Sequence, residues 1–159
     1  MSHPSFTLIP LLTVMSVVLG SPEAGCSTFL KTIANHTQEY YSVTGERHYD
    51  SLSPQDLQRN FRGDVQYCPE EDVHFPTLTV EQTIGFAAET RTPRNRLGKS
   101  RREYRDTVTD VLTTLFGLRQ VRKTPVGNAQ IRGISGGQKK RVSLAEVLAT
   151  SPYIACWDK

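Results

Sequence analysis

With 159 residues, 37% of them hydrophobic and 22% charged, the chain has the composition of a globular protein rather than a disordered one. Its net charge of +3 is too small to argue for nucleic acid as a partner, and none is expected. The three cysteines, at 26, 68 and 156, match no metal-ligand spacing, and an odd, scattered set suits a reducing, cytosol-facing location.

The first apolar run, Phe6 to Leu19, is too short to span a bilayer, is interrupted by Pro10, and lacks the basic start of a signal peptide. Its composition predicts a buried strand over Thr13 to Leu19. Next comes Gly20-Ser21-Pro22-Glu23-Ala24-Gly25-Cys26-Ser27-Thr28, leading into Phe29, Leu30 and Ile33 at helical spacing, with Asn35 as the stop. Strand, glycine-rich turn and helix is the setting of a phosphate-binding loop. The glycines let successive backbone N–H groups curl around an anion, and the helix N-terminus adds partial positive charge. The pattern G-x-x-x-x-G-K-[ST] is met everywhere but at Cys26, which stands where a lysine reaches the β- and γ-phosphates.

Glu39 to Tyr49 alternates around Gly45 and predicts two short strands and a turn. Ser53, Pro54 and Asp56 predict an N-cap, a first helical position and an acidic first turn, in a helix ending before Gly63. Asp64 to Tyr67 reads as a brief strand, ended by Cys68-Pro69. Thr79-x-x-Gln82 is a capping box for a helix with Val80, Ile84, Ala87 and Ala88 on one face, closed by Pro93.

Arg91 to Arg105 is a basic linker that includes Arg94, Arg96, Lys99, Arg101 and Arg102; it reads as a solvated loop and helix face, or as a surface near anionic headgroups. Ser100-x-x-Glu103 opens the clearest helix, with an apolar stripe of Tyr104, Val108, Val111, Leu112, Leu115 and Phe116, ended by Gly117.

Two further motifs follow. Ile134-Ser135-Gly136-Gly137-Gln138-Lys139-Lys140-Arg141 precedes a helix predicted over Val142 to Thr150, and its hydroxyl and bare glycine amides suit a second anion-binding helix start. Tyr153 to Trp157 is an apolar strand ending in Asp158, and a strand-terminal aspartate holds Mg²⁺ beside the loop serine, here Ser27, in phosphate-loop proteins.

These three motifs, in this order, resemble the nucleotide-binding domain of ABC transporters, whose signature reads L-S-G-G-Q. More narrowly, the chain looks like the first such domain of the fungal pleiotropic-drug-resistance transporters. The narrower likeness rests on Gly25-Cys26-Ser27-Thr28, on Tyr67 to Val80 with Glu70 where other members have glutamine, on Arg91 to Arg96, and on Ile134 to Glu146 with Cys156-Trp157-Asp158. It covers roughly residues 14 to 158.

The resemblance implies an α/β fold: a P-loop NTPase, RecA-like core over 1–75 and 151–159, and an inserted α-helical signature subdomain over 76–150. The chain is expected to be incomplete at its C-terminus. The cofactors implied are ATP and Mg²⁺, with ATP on residues 20 to 28 and the metal on Ser27 and Asp158, with Glu70 as a further candidate. No catalytic residue is intact, because Cys26 removes the loop cation and Lys159 occupies the general-base position, where a protonated ammonium cannot take a proton. The own site is therefore expected to bind Mg-ATP with little hydrolysis.

Ser135, Gly136, Gly137 and Gln138 would complete the active site of a second nucleotide-binding domain in trans. Implied partners are that domain and transmembrane domains, at the cytosolic face of a membrane, the plasma membrane above all, in an ATP-driven exporter of lipophilic drugs or lipids. Two alternatives share the motifs: a soluble, non-transport ABC ATPase, and a truncated, non-catalytic ATP-binding fragment.

Overall fold

The computed structural model describes residues 15–21, 23–96 and 98–158. Among the described residues, five helices and two strands occur in the order α1 (Cys26–Ile33), α2 (Pro54–Asn60), β1 (Val65–Cys68), α3 (Val80–Thr90), α4 (Arg101–Leu115), α5 (Gly136–Ala149) and β2 (Ile154–Trp157). A single-turn 3₁₀ helix, Arg119–Val121, lies between α4 and α5. Among the described residues no helix is long and apolar enough to cross a membrane.

Four of the five helices start where their side chains supply the missing backbone partners. Ser53, Thr79, Ser100 and Ser135 each accept a backbone N–H three residues on, from Asp56, Gln82, Glu103 and Gln138, whose side chains reach back to the capping residue's own N–H. Such boxes satisfy two of the N–H groups that a helix start leaves orphaned. The exception is α1, whose cap is Gly25 in the left-handed region with no side-chain bond. Its first-turn amides are left to other acceptors.

The strands pair in parallel, Val65 against Ile154 through Cys68 against Trp157. Parallel neighbours need a long crossover, and α3, α4 and α5 supply it. Two clusters of buried side chains result. Val80, Ile84, Ala88, Leu112, Leu118, Val126, Ile134, Val142, Ala145 and Ala149 form the larger, among α3, α4 and α5. Ala34, Leu57, Val65 and Cys156 form the smaller, around the strands.

Four expectations need correction. Residues 13 and 14 lie outside the described residues, and 15–20 form no strand: Met15, Val17 and Leu19 are exposed. An apolar run becomes a strand only when a neighbour completes its ladder, and the described strands pair only with each other. Glu39 to Tyr49 likewise is irregular, apart from one isolated bridge between Tyr49 and Leu52. It is held by side chains instead, Arg47 donating to the Thr32 carbonyl at 3.0 Å and the Tyr49 hydroxyl to that of Ile33 at 2.6 Å.

The inward face of α4 is turned from the expected stripe. Val111 and Leu115 are 57% and 68% exposed, while Thr109 and Thr113 are buried with Leu112. The threonines can be buried because each hydroxyl donates to the carbonyl four residues back, at 2.8 and 2.7 Å. Gly85 of α3 lies against this face, where a Cβ would stand in ordinary contact, 3.5 Å from Thr109 Oγ1. Finally, α5 begins at Gly136, six residues before Val142, because Ser135 and Gln138 cap it there.

Candidate functional site

The loop preceding α1 is closed by its own chemistry. The Ala24 N–H donates to the Ser21 carbonyl at 3.0 Å, and Gly25 turns at φ 89°, which a side chain would strain. Residue 26 folds back on Gly20: a Cβ on Gly20 would lie 2.7 Å from Cys26 Sγ and 3.1 Å from the Ala24 Cβ. A side chain on Gly20 would thus crowd Cys26 and Ala24. Ser21, Glu23, Ala24, Gly25, Ser27 and Thr28 are exposed and Cys26 half-buried, while Pro22 lies outside the described residues.

Asp158 follows β2 and is only 7% exposed. Its N–H donates to the Cys68 carbonyl at 2.9 Å, and its Oδ2 accepts the Tyr67 hydroxyl at 2.6 Å. Burial, and then the carboxylate itself, push the Tyr67 phenol well above its ordinary pKa, so Tyr67 is a neutral donor. From α1, Lys31 Nζ sits 5.8 Å from the centre of the Tyr67 ring. The last turn of α1 and the strand-end carboxylate therefore both lie against Tyr67. Burial also raises the thiol pKa of Cys68 and Cys156, which leaves both as packing groups.

Glu70 is exposed beyond β1, and its main-chain carbonyl accepts Lys140 Nζ at 2.9 Å, as does that of Pro69. This lysine ties the loop after β1 to α5. Three residues on, Ser143 Oγ donates to Asp72 Oδ1 at 2.6 Å and lies 3.0 Å from His74 Nε2. With its one proton spent on Asp72, the hydroxyl accepts from Nε2–H. The other ring nitrogen, Nδ1, stands 3.0 Å from Glu146 Oε2, within ion-pair distance. Burial pulls the His74 pKa down, yet Glu146, the Lys139 carbonyl and Asp72 together outweigh it and raise it above the ordinary value.

The signature residues crown α5. Ser135, Gly136 and Gly137 are exposed, and a Cβ on either glycine would meet nothing within 4 Å. Ser135 Oγ accepts the Gln138 N–H at 3.4 Å, and Gln138 Oε1 accepts that of Ser135 at 2.9 Å. A tight loop sets this end: Gly127 and Gly133 cross so closely that a Cβ on Gly133 would lie 2.2 Å from the Val126 carbonyl oxygen. Lys139 Nζ clasps the Gly127 carbonyl at 2.8 Å. Among the described residues no hydrogen bond or ion pair joins Ser135–Gln138 to the 20–28 loop, so the chain presents two separate surfaces. Lys159 lies outside the described residues.

The donor set suits a magnesium nucleotide. Mg²⁺ is ordinarily held by one or two protein oxygens together with phosphates and water, not by an all-protein cage. Ser27 offers a hydroxyl, Asp158 a buried carboxylate, and among the described residues no cluster of three or more His, Cys, Asp or Glu competes. Sequence reading missed Tyr67, Lys140, Ser143 and Glu146. The signal was there in spacing: residues 140, 143 and 146 recur at three-residue intervals along α5, and Tyr67 shares a sheet face with Asp158.

The family profile described as ABC transporter matches residues 13–159. The chain belongs to the ABC transporter family. ABC transporter CDR4 of Candida albicans is 49% identical over 146 residues, 91% of this chain and 10% of that protein. ATP-dependent permease PDR12 of Saccharomyces cerevisiae is 48% identical over 145 residues, again 91% and 10%. Brefeldin A resistance protein of Schizosaccharomyces pombe is 47% identical over 143 residues, 89% and 9%. The chain thus spans about a tenth of the length of these ABC transporter relatives. The family match carries the P-loop NTPase fold, with ATP, usually as its Mg²⁺ complex, as the ligand of the domain.

Proposed function

We propose that the chain is the ATP-binding domain of an ATP-driven exporter of lipophilic drugs or lipids, whose own site holds Mg-ATP and turns it over little. Residues 20 to 28 would hold the phosphates through backbone amides, Ser27 and Asp158 the metal, and Glu70 would face it. When bound, Mg²⁺ supplies charge neutralisation at the phosphates. The protein's part is to bind, to orient and to hold protons in place.

The observation that carries the reading is the start of α1, a helix capped by Gly25 with no side-chain acceptor, in a chain that also buries the strand-end Asp158. Such an N-terminus favours phosphate. Cys26 supplies no cation to the phosphates, and Lys159 at the general-base position cannot accept a proton while charged. Binding without turnover follows from that pair.

Ser135, Gly136, Gly137 and Gln138 stand on the other surface, open to a second nucleotide-binding domain whose ATP they would complete. Residues 1–75 with 151–159 would form the core and 76–150 the signature subdomain; the two separate buried clusters support that division. The transmembrane domains and the second domain would belong to the same exporter, with this domain at the cytosolic face of the plasma membrane. The printed names of the relatives, a permease and a brefeldin A resistance protein among them, support the export reading.

The test is photolabelling of the full-length protein with 8-azido-ATP and Mg²⁺, followed by peptide mapping. Label is expected on peptides of residues 20–36, and nucleotide recovered there after prolonged incubation is expected to remain triphosphate. Absence of saturable label on those peptides overturns the binding claim. Diphosphate recovered at the rate of the second site overturns the slow-turnover claim.

A further inference from the structure

The carboxylate of Asp158 is fixed from two directions. Its backbone N–H continues the β1–β2 ladder to the Cys68 carbonyl at 2.9 Å, and its side chain accepts the Tyr67 hydroxyl at 2.6 Å. The register explains the second contact. Tyr67 pairs with Cys156, so Asp158, two residues on, is its diagonal neighbour on the same sheet face. The ring is held in turn by Lys31 of α1 and by the His36 ring, whose centroid is 5.8 Å away. A phenol so placed has little freedom to point elsewhere.

We propose that Tyr67 is a positioning residue for the metal carboxylate: its hydroxyl sets the rotamer in which Asp158 meets the divalent cation that accompanies the nucleotide. This rests on the reading that the 20–28 loop takes Mg-ATP. A short O–H···O⁻ bond is charge-assisted and directional, so it selects one orientation of a side chain that would otherwise sample several. Hydrogen-bond partners of this kind behind a metal ligand, when removed, ordinarily cost 10- to 100-fold in metal affinity. Tyr67→Phe removes the hydroxyl and keeps the ring that packs against Ala34, Leu57, Val65 and Cys156.

The experiment uses the full-length protein and 8-azido-ATP labelling of peptides 20–36, titrated with Mg²⁺ and repeated in EDTA. Tyr67→Phe is expected to raise the Mg²⁺ concentration at half-maximal labelling by about 10- to 100-fold, with labelling in EDTA unchanged. Introduced into Asp158→Asn, the same substitution is expected to add nothing, because its effect runs through that carboxylate. An unchanged Mg²⁺ midpoint overturns the proposal. So does an equal loss with and without Mg²⁺, which would mark a merely structural role. If the unsubstituted protein takes no label on these peptides, the ATP-binding reading falls, and this inference with it.

Discussion

The imidazole of His74 reaches across from the loop after β1 to Ser143 of α5, with Nε2 and Oγ 3.0 Å apart. That contact joins the segment carrying Glu70 to the helix that Ser135 caps. It is reinforced by Lys140, which binds the Pro69 and Glu70 carbonyls and lies 3.7 Å from Asp72 Oδ1.

The latch should respond to pH. His74, its side chain 3% exposed, faces Glu146, Ser143 and the Lys139 carbonyl from α5, and Asp72 from its own loop, which Lys140 approaches in turn. Its folded pKa is raised above the unfolded value of about 6.5, so its contribution is complete below that value and is lost as pH rises through the folded pKa. The urea midpoint of the wild-type chain minus that of His74→Gln should therefore be largest in mild acid and shrink at alkaline pH. A difference that stays constant across this range would count against an imidazolium at this position.

Neighbouring positions in α3 should behave oppositely. Ile84 is fully buried in the larger cluster, and Ile84→Ala should cost about 2–5 kcal/mol. Gly85 is buried too, yet a Cβ there meets only ordinary contacts at 3.5 Å and beyond. Gly85→Ala should be neutral or stabilise by up to about 1 kcal/mol, through helix propensity. Denaturant unfolding of the two variants checks both signs.

The loop that sets the signature leaves no room at its crossing. Gly133→Ala places a methyl against the Val126 carbonyl, and Gly127→Ala adds a side chain at φ 73° beside the Gly133 backbone. Each should destabilise by about 1–3 kcal/mol. Hydrogen exchange should show the loosening first at the start of α5. Unchanged protection there would mean that the crossing does not hold the helix.

Ser135 has two roles that substitution can separate. Ser135→Ala loses the helix cap, worth about 1 kcal/mol, while Ser135→Asn keeps one. If the hydroxyl also completes a site in trans, both variants abolish ATP hydrolysis by the full-length protein, and only the first lowers its melting temperature. Full turnover in Ser135→Asn would leave Ser135 as a cap alone.

What the sequence determined by itself was local. Capping boxes lie within four residues, so the starts of α2, α3 and α4 could be read from Ser53, Thr79 and Ser100. The glycine turn at 20–28, the helix after it and the strand ending at Asp158 were legible for the same reason. Only the tertiary structure decided what depends on a distant neighbour. The run at 15–19 needed a ladder that no described strand gives it. The inward face of α4 was set by its packing on α3 and by threonine hydroxyls that bond within the helix, not by its own apolar stripe. Tyr67 met Asp158, and His74 met Ser143, because a parallel pairing and a helix packing brought together residues far apart in the chain. Spacing along one segment carries no record of which segment it will face.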